Sequence, residues 1–289
     1  MSLLKMCGSS NINITDIITL LKERPFAANE RGFKGSPLHL LCQNEMITME
    51  LLSLILEAAP EESRHEIPVI NYLPLHYLCS NPKVSCSMLM VLLESSPEVA
   101  KHKVNDGRFP LHFLCENPNI TLSMLKALLD EAPEIASASG HDGRFVLHYL
   151  SKNEAVEPSM LAAVLECAPK AANEYDRSER YPLHYICQNQ NLTHAMFTML
   201  MVPQAALKRD FNGNWPLHLL CDNPCITIEM FTALVQAAPE ATSQKNFDSN
   251  YPIHILCRNE NVQGEMVALL LRLAPQVAHQ EVCIERRGW

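Results

Sequence analysis

The sequence predicts an all-α solenoid, seven helix-turn-helix repeats behind an N-terminal capping helix. Two observations carry that expectation. The block Pro37-Leu38-His39-Leu40-Leu41-Cys42-Gln43-Asn44 returns from Pro74, Pro110, Val146, Pro182, Pro216 and Pro252, at steps of 37, 36, 36, 36, 34 and 36 residues. Each block is followed by a second stretch with helical spacing of its apolar residues. In Met124-Leu125-Lys126-Ala127-Leu128-Leu129 they fall at i, i+1, i+4 and i+5.

Taken in order, Asn11, Ile14, Thr15, Ile18, Leu21 and Pro25 match only the second half of the pattern, so residues 11–28 read as a half-repeat cap. Residues 29–278 hold the seven repeats and 279–289 a tail, all within one domain of residues 1–289. In each repeat Pro opens a short helix, where its missing N–H would be unpaired anyway. Asn closes that helix and is expected in the left-handed conformation it tolerates. Where Pro82, Pro118 or Pro224 follows, the Asn is instead pushed out of the helical region. An aliphatic residue comes three positions later (Ile47, Val84, Ile120, Val156, Leu192, Ile226, Val262). In most copies a Ser or Thr follows to cap the second helix (Thr48, Ser85, Thr121, Thr193, Thr227). Pro60, Pro97, Pro133, Pro169, Pro203, Pro239 and Pro275 end that helix, and a polar segment leads on to the next block. One helix pair cannot bury its apolar faces alone, so the copies should stack. The last helix, around Met266 to Leu273, is apolar where a terminal repeat would be polar outside. The tail, a partner or further chain is expected to cover it.

Composition narrows the function classes. Of the 289 residues 47% are apolar and 19% charged, enough for a packed core. The net charge of −9 argues against a broad nucleic-acid surface, which needs a basic face. No apolar run is long enough to span a bilayer, and the Met1-to-Cys7 start lacks the form of a signal peptide. The 11 cysteines mostly recur at one place in the repeat and include no Cys-x-x-Cys, so they read as small buried residues of a reducing compartment, cytoplasm or nucleus. The Asn-x-Thr sequons at Asn13, Asn119 and Asn191 are explained by Thr as a helix N-cap.

Pro-Leu-His opening a short helix at this period resembles the ankyrin family, whose signature is Thr-Pro-Leu-His-x-Ala. Asp210-Phe211-Asn212-Gly213-Asn214-Trp215-Pro216-Leu217-His218 is similar to that family's hairpin running into its first helix, and Asp106-Gly107-Arg108-Phe109 and Asp142-Gly143-Arg144-Phe145 are alike. The likeness covers roughly residues 11 to 278. It departs where Ser36, Leu73, Phe109, Phe145, Tyr181, Trp215 and Tyr251 replace the Thr, so the family's Thr–His bond is lost in most copies. Leu-Cys replaces Ala-Ala. What the resemblance implies is an L-shaped stack whose hairpin tips and short helices form a concave, protein-binding face.

The His-x-x-Cys pair invites a metal reading, but one repeat offers two ligands where zinc needs four. Helices in neighbouring repeats, roughly 8–10 Å apart, are too distant to share the ion. We therefore read the Cys as core and the His as bonded to the neighbouring hairpin backbone. No metal or other cofactor is expected. No phosphate loop, Gly-x-Ser-x-Gly, His-Glu-x-x-His or dinucleotide turn occurs, so no enzyme is expected either. The residue after the His (Leu40, Tyr77, Phe113, Tyr149, Tyr185, Leu219, Ile255) and the recurring Met88, Met124, Met160, Met196, Met230 and Met266 read as packing.

Function should lie where copies differ. One candidate set is at the hairpins: Arg108, Arg144, Arg180, Asn214 and Asn250, beside Phe109, Phe145, Tyr181, Trp215 and Tyr251. The aromatics either join a binding face or fill gaps between hairpins. The other set follows the Cys: Gln43, Glu116, Lys152, Gln188, Asp222 and Arg258. Glu57, Glu94, Asp130, Glu131 and Glu166 crowd the long helices, so a locally basic centre facing a partner's carboxylates is expected. The reading is a monomeric scaffold or adaptor that binds a protein, not nucleic acid and not a bilayer. The alternatives are a regulatory ankyrin-type module of a larger enzyme or channel chain, and a metal- or redox-responsive stack using the cysteines.

Overall fold

A computed structural model of the chain describes residues 2–279. The tail assigned to residues 279–289 therefore lies almost wholly outside the described residues. Among the described residues the chain is all-helical and contains no strand, only isolated bridges such as Gly32 to Gly35. No helix there is long and apolar enough to cross a membrane. The chain divides into two compact units, the first reaching Tyr149 and the second beginning at Leu150, with Glu166–Ala168 grouped in the first.

The first unit contains α1 (Leu3–Cys7), α2 (Ile14–Glu23), α3 (Pro37–Gln43), α4 (Met49–Ala58), α5 (Pro74–Ser80), α6 (Cys86–Ser95), α7 (Pro110–Glu116) and α8 (Leu122–Glu131). The division falls within α9 (Val146–Lys152) and near the end of α10 (Pro158–Cys167). The second unit contains α11 (Pro182–Gln188), α12 (His194–Leu200), α13 (Pro203–Ala206), α14 (Pro216–Asp222), α15 (Ile228–Ala237), α16 (Pro252–Leu256) and α17 (Gly264–Leu273). In the first unit the short helices α1, α3, α5 and α7 pack each on the next, and so do α2, α4, α6 and α8. In the second unit α11, α14 and α16 form one such row and α12, α15 and α17 the other. Leu41, Leu52, Ile55, Leu75 and Leu78 in the first unit and Phe197, Leu220 and Phe231 in the second are fully buried between the rows. Each such side chain contributes roughly 1.5–3 kcal/mol.

Six of the short helices begin on a bond that spares the side chain of the capping residue. In the first unit Nδ1 of His39, His76, His112 and His148 accepts the backbone N–H of Ser36, Leu73, Phe109 and Phe145 at 3.1–3.2 Å. In the second, His184 and His218 do the same for Tyr181 and Trp215. Because only backbone is used, leucine or tryptophan can stand where a hydroxyl would be expected. Ser36 alone adds its Oγ, 2.9 Å from His39 Nδ1. The opposite nitrogen of the ring completes the tie. Nε2 of His39, His76 and His112 donates to the carbonyls of Tyr72, His102 and Ala138, and that of His218 to Gln244, each at 3.2 Å. An amide can only donate and a carbonyl only accept, so the two bonds fix the Nε2–H tautomer of a neutral ring.

The recurring Asn closes five of the short helices in an extended conformation, as expected before Pro82, Pro118 and Pro224 but not at Asn44 and Asn189. It is not left-handed: Asn44, Asn81 and Asn117 have φ between −83° and −71° with ψ between 124° and 130°. Asn189 and Asn223 are equally extended. The side-chain bonds are common to all five. Nδ2 of Asn81 donates to the carbonyls of Cys42 and Asn44, both at 2.9 Å, in the preceding copy. Its Oδ1 takes the N–H of Lys83 at 2.8 Å. Last-turn carbonyls of one helix, which lack partners within it, are thus satisfied by the next copy.

The second helices start as expected, with Thr48, Ser85 and Thr121, and in the second unit Thr193 and Thr227, accepting an N–H three residues on. At the sequon of Asn13 the cap is Asn13 itself, whose Oδ1 takes the N–H of Thr15, so Thr is not the cap there. Past the second helix the chain is not all loop. The proline begins a 3-10 turn, as in Pro97–Lys101, Pro133–Ser137 and Pro239–Ser243, burying residues such as Val99, Ile135 and Ala241. One turn is too short to show a period. Helix α1 was likewise hidden ahead of the segment 11–28. Asn44 Nδ2 reaches Cys7 O at 2.9 Å and Ser9 O at 2.6 Å, which puts Leu3-x-x-Met6-Cys7 in register with Leu38-x-x-Leu41-Cys42. The recurring cysteines at 42, 79, 115, 187 and 221 are buried, but Cys257 is exposed because α16 stops at Leu256.

Candidate interaction surface

The two sets of variable residues meet. Arg108 NH1 bonds Glu116 Oε2 at 3.0 Å in the first unit. In the second, Arg180 NH1 bonds Gln188 Oε1 and Arg258 NH2 bonds Asn250 Oδ1, each at 3.2 Å. A hairpin residue and the residue eight positions on, after the Cys, thus share one patch in three copies.

The arginines are already engaged. Arg108 also holds Asp106 Oδ2 at 2.8 Å and lies 4.2 Å over the ring of Phe113. Arg144 faces Asp142 and Tyr149. Arg180 binds Asp210 Oδ2 at 2.8 Å, and that aspartate is buried. Around these guanidinium groups the charge is balanced by the chain's own carboxylates rather than openly basic. Replacing Arg180 by Glu would put a like charge against a buried Asp210, so reversing Arg108, Arg144 and Arg180 together would report on folding as well as binding.

The aromatics divide. Tyr181 and Tyr251 are buried, while Phe109, Phe145 and Trp215 are half-buried. Phe109 lies parallel to His112 with centroids 5.9 Å apart, and Tyr181 stacks on His184 at 6.0 Å. They cover the histidines. Asn214 Oδ1 accepts from Asn246 Nδ2 at 2.8 Å. Glu116 in the first unit and Lys152, Gln188, Asp222 and Arg258 in the second are exposed, as is Gln43. Tyr149 Oη donates to Asp142 and Tyr185 Oη to Asp176 at 3.0 and 2.6 Å, tying the residue after the His to a hairpin carboxylate.

Three groupings were not apparent in the sequence. Tyr72 and Tyr77, half-exposed, pack with centroids 5.2 Å apart, and Tyr72 lies 5.5 Å from Phe113, making an aromatic cluster beside Arg108. An open groove of about 720 Å³ in the first unit is lined by Leu4, Lys5, Lys34, Leu40, Gln43 and Met46 among others. The third is the hairpin tip proper. Phe33, Asn105 and His141 in the first unit, and Arg177, Phe211 and Phe247 in the second, hold the same exposed place one residue into the turn, and Val69 stands two residues into the longer turn that opens at Ile67. Their backbone fixes the register: His141 N donates to Asp106 O at 2.7 Å, Phe211 N to Ser178 O at 2.9 Å and Phe247 N to Asn212 O at 3.0 Å. The signal was present, since from Val69 onward each lies five residues before the block opening at Pro74, Pro110, Val146, Pro182, Pro216 or Pro252.

Among the described residues no three His, Cys, Asp or Glu side chains come together as a metal-binding group. No family model and no curated protein matches the chain in sequence.

Proposed function

We propose that the chain is a divergent ankyrin-type solenoid that works as a scaffold or adaptor, binding a protein partner through its hairpins and the ends of its short helices. The observation that carries this reading is a division of labour within each repeat. The recurring His and Asn spend their polar atoms on the chain's own backbone, as His112 does on Phe109 and Ala138 and Asn223 on Cys187 and Asn189. The residues that change between copies, among them Glu116, Gln188, Asp222 and Arg258, are exposed instead. A fixed frame that displays variable side chains suits recognition. The likeness to the ankyrin signature and the pairwise packing of successive short helices support the fold part of the proposal.

The test is site-specific photo-cross-linking in native extract. The cross-linking residue replaces Gln188 or Asp222 on the short-helix side, or Gln236 on the exposed side of α15 as control. Discrete protein adducts from positions 188 and 222 are expected. Adducts from neither, or from 236 alone, would overturn the reading.

A further inference from the structure

We infer that the hairpin tips of the second unit form a docking site for an acidic peptide segment carrying an apolar side chain, centred on Phe211 and Phe247; this rests on the protein-binding reading above.

The two phenylalanines are 70% and 69% exposed. A large apolar ring left in water is unremarkable when single. Here two stand at the same place in consecutive hairpins, in a register fixed by the Phe247 N to Asn212 O bond. They do not fill a core: Asn246 and Asp210, the preceding residue in each turn, are the buried ones. Leu207, 40% exposed, lies on the same chain arm as Phe211 and extends the apolar surface.

The surrounding charge names the occupant. The arms 207–211 and 244–248 carry Lys208, Arg209 and Lys245, all exposed. None of the three forms an ion pair with a carboxylate among the described residues. Arg209 lies 6.0 Å from the ring centre of Phe247, and Lys245 lies 5.1 Å from that of Tyr251. On the same arms the carboxylates are Asp248, exposed, and Asp210, which is 2% exposed and held by Arg180. These two arms thus carry three open cations and one open carboxylate, and the adjoining hairpin adds exposed Arg177 beside Glu174 and Glu179, on a chain whose net charge is −9. An acidic segment is repelled by most of this chain and favoured here, so the field selects the place as well as the ligand. Aromatic rings beside cations are also the side chains that carry most binding energy in protein interfaces. Three cations are few for a phosphate backbone, whose binding grows with each phosphate neutralised.

The experiment titrates fluorescent peptides of about a dozen residues, long enough to cross both hairpins, against the full chain. One pool is Asp- and Glu-rich with a central Leu, Phe or Trp. In a second the apolar residue is Ser, in a third the acids are Lys, and an oligouridine of similar length is the nucleic-acid arm. The first pool should bind at least about tenfold tighter than every other. Its binding should fall about tenfold or more in Phe211→Ala/Phe247→Ala and in Arg209→Glu/Lys245→Glu, and should weaken from about 50 to about 500 mM salt. Circular dichroism of the variants controls for folding. Equal binding of the pools, tighter binding of the oligouridine, or full affinity in either variant would overturn the inference. Should the cross-links from positions 188 and 222 persist in that case, the protein-binding reading stands and only this site falls.

Discussion

Asn223 Nδ2 lies 2.9 Å from the carbonyl oxygen of Cys187, and 2.8 Å from that of Asn189, so one amide closes the end of the preceding short helix. Its Oδ1 accepts the N–H of Cys225 at 2.7 Å. All three polar positions of this buried side chain are committed, and none to solvent. Asn223→Ala would strand two carbonyls and an N–H, costing about 2–4 kcal/mol. Asn223→Asp should cost more at neutral pH, because a carboxylate would face the two carbonyl oxygens without a proton to give them. Urea unfolding of both variants checks the order; an Asp variant more stable than the Ala variant at pH 7 would refute this account.

The histidine ties give the fold a definite acid sensitivity. Burial holds His39, His112 and His218 neutral, lowering their pKa from 6.5 to about 4, and lowers that of His76 to about 3. A protonated ring would lose the Nδ1 acceptor that takes the capping N–H. Below pH 6.5 the unfolded chain takes up protons that the folded chain refuses, so stability is complete above that value and is lost as pH falls toward about 4. Each such histidine removes on the order of 1–2 kcal/mol by pH 5. Denaturant midpoints should therefore drop steeply between pH 7 and pH 5, and a flat profile across that window would show the rings to be accessible.

Arg31 and Glu62 make a second exposed-to-buried contact, in the first unit. The guanidinium is half exposed, whereas the carboxylate side chain is fully buried, with Oε1 2.9 Å from Arg31 NH2. Glu62 Oε2 has no hydrogen-bond partner among the described residues. Arg31→Ala leaves that charge alone in the interior and should cost about 2–3 kcal/mol, below the figure for fully buried pairs because Arg31 reaches water. Adding Glu62→Gln should recover part of the loss, since the charge that needs a partner is removed. Thermal melts of the single and double variants decide; a double variant less stable than Arg31→Ala would contradict the argument.

What could be read from the sequence followed its local periodicities. The spacing of Pro, His, Cys and Asn places every short helix of the repeats, and the Ser and Thr caps place most of the second helices, because each signal sits within a few residues of what it causes. The extended conformation of Asn44 and Asn189 was not legible, since no Pro follows them and their side chains bond carbonyls 35 to 38 residues earlier in the chain. For the same reason Arg180 looked free in sequence, although its carboxylate, Asp210, lies 30 residues away. Phe211 and Phe247 stand apart from the candidate set beside the Pro, whose members lie three to four positions further along the chain. That Pro-adjacent set and the set after the Cys were each found in the sequence, but their pairing across eight residues emerges only once the hairpin folds back on its helix.

Most of the hairpins are set by a single left-handed residue, whereas that of residues 67–72 has two, Val69 and Asn71. Gly107 and Gly143 in the first unit and Gly213 in the second hold φ between 75° and 84°, and the equivalent residues Glu179 and Ser249 are forced to 59° and 62°. An L-residue in this region carries a penalty of roughly 1–2 kcal/mol, which glycine escapes at the cost of a more disordered unfolded chain. Ser249→Gly should therefore raise stability by about 0.5–1 kcal/mol. Gly213→Ala should act in the opposite sense and more strongly. A Cβ there would come within 2.8 Å of Phe247 Cδ1 and 3.0 Å of its backbone nitrogen. The ring can turn aside only by leaving its place, and the nitrogen is held by Asn212 O. The loss should be about 1–3 kcal/mol, accompanied by displacement of Phe247 from the pair at the tips. Denaturant melts report the first effect, and amide exchange at Phe247 reports the second. A Gly213→Ala protein with unchanged protection at Phe247 would mean that the two hairpins are not coupled through this contact.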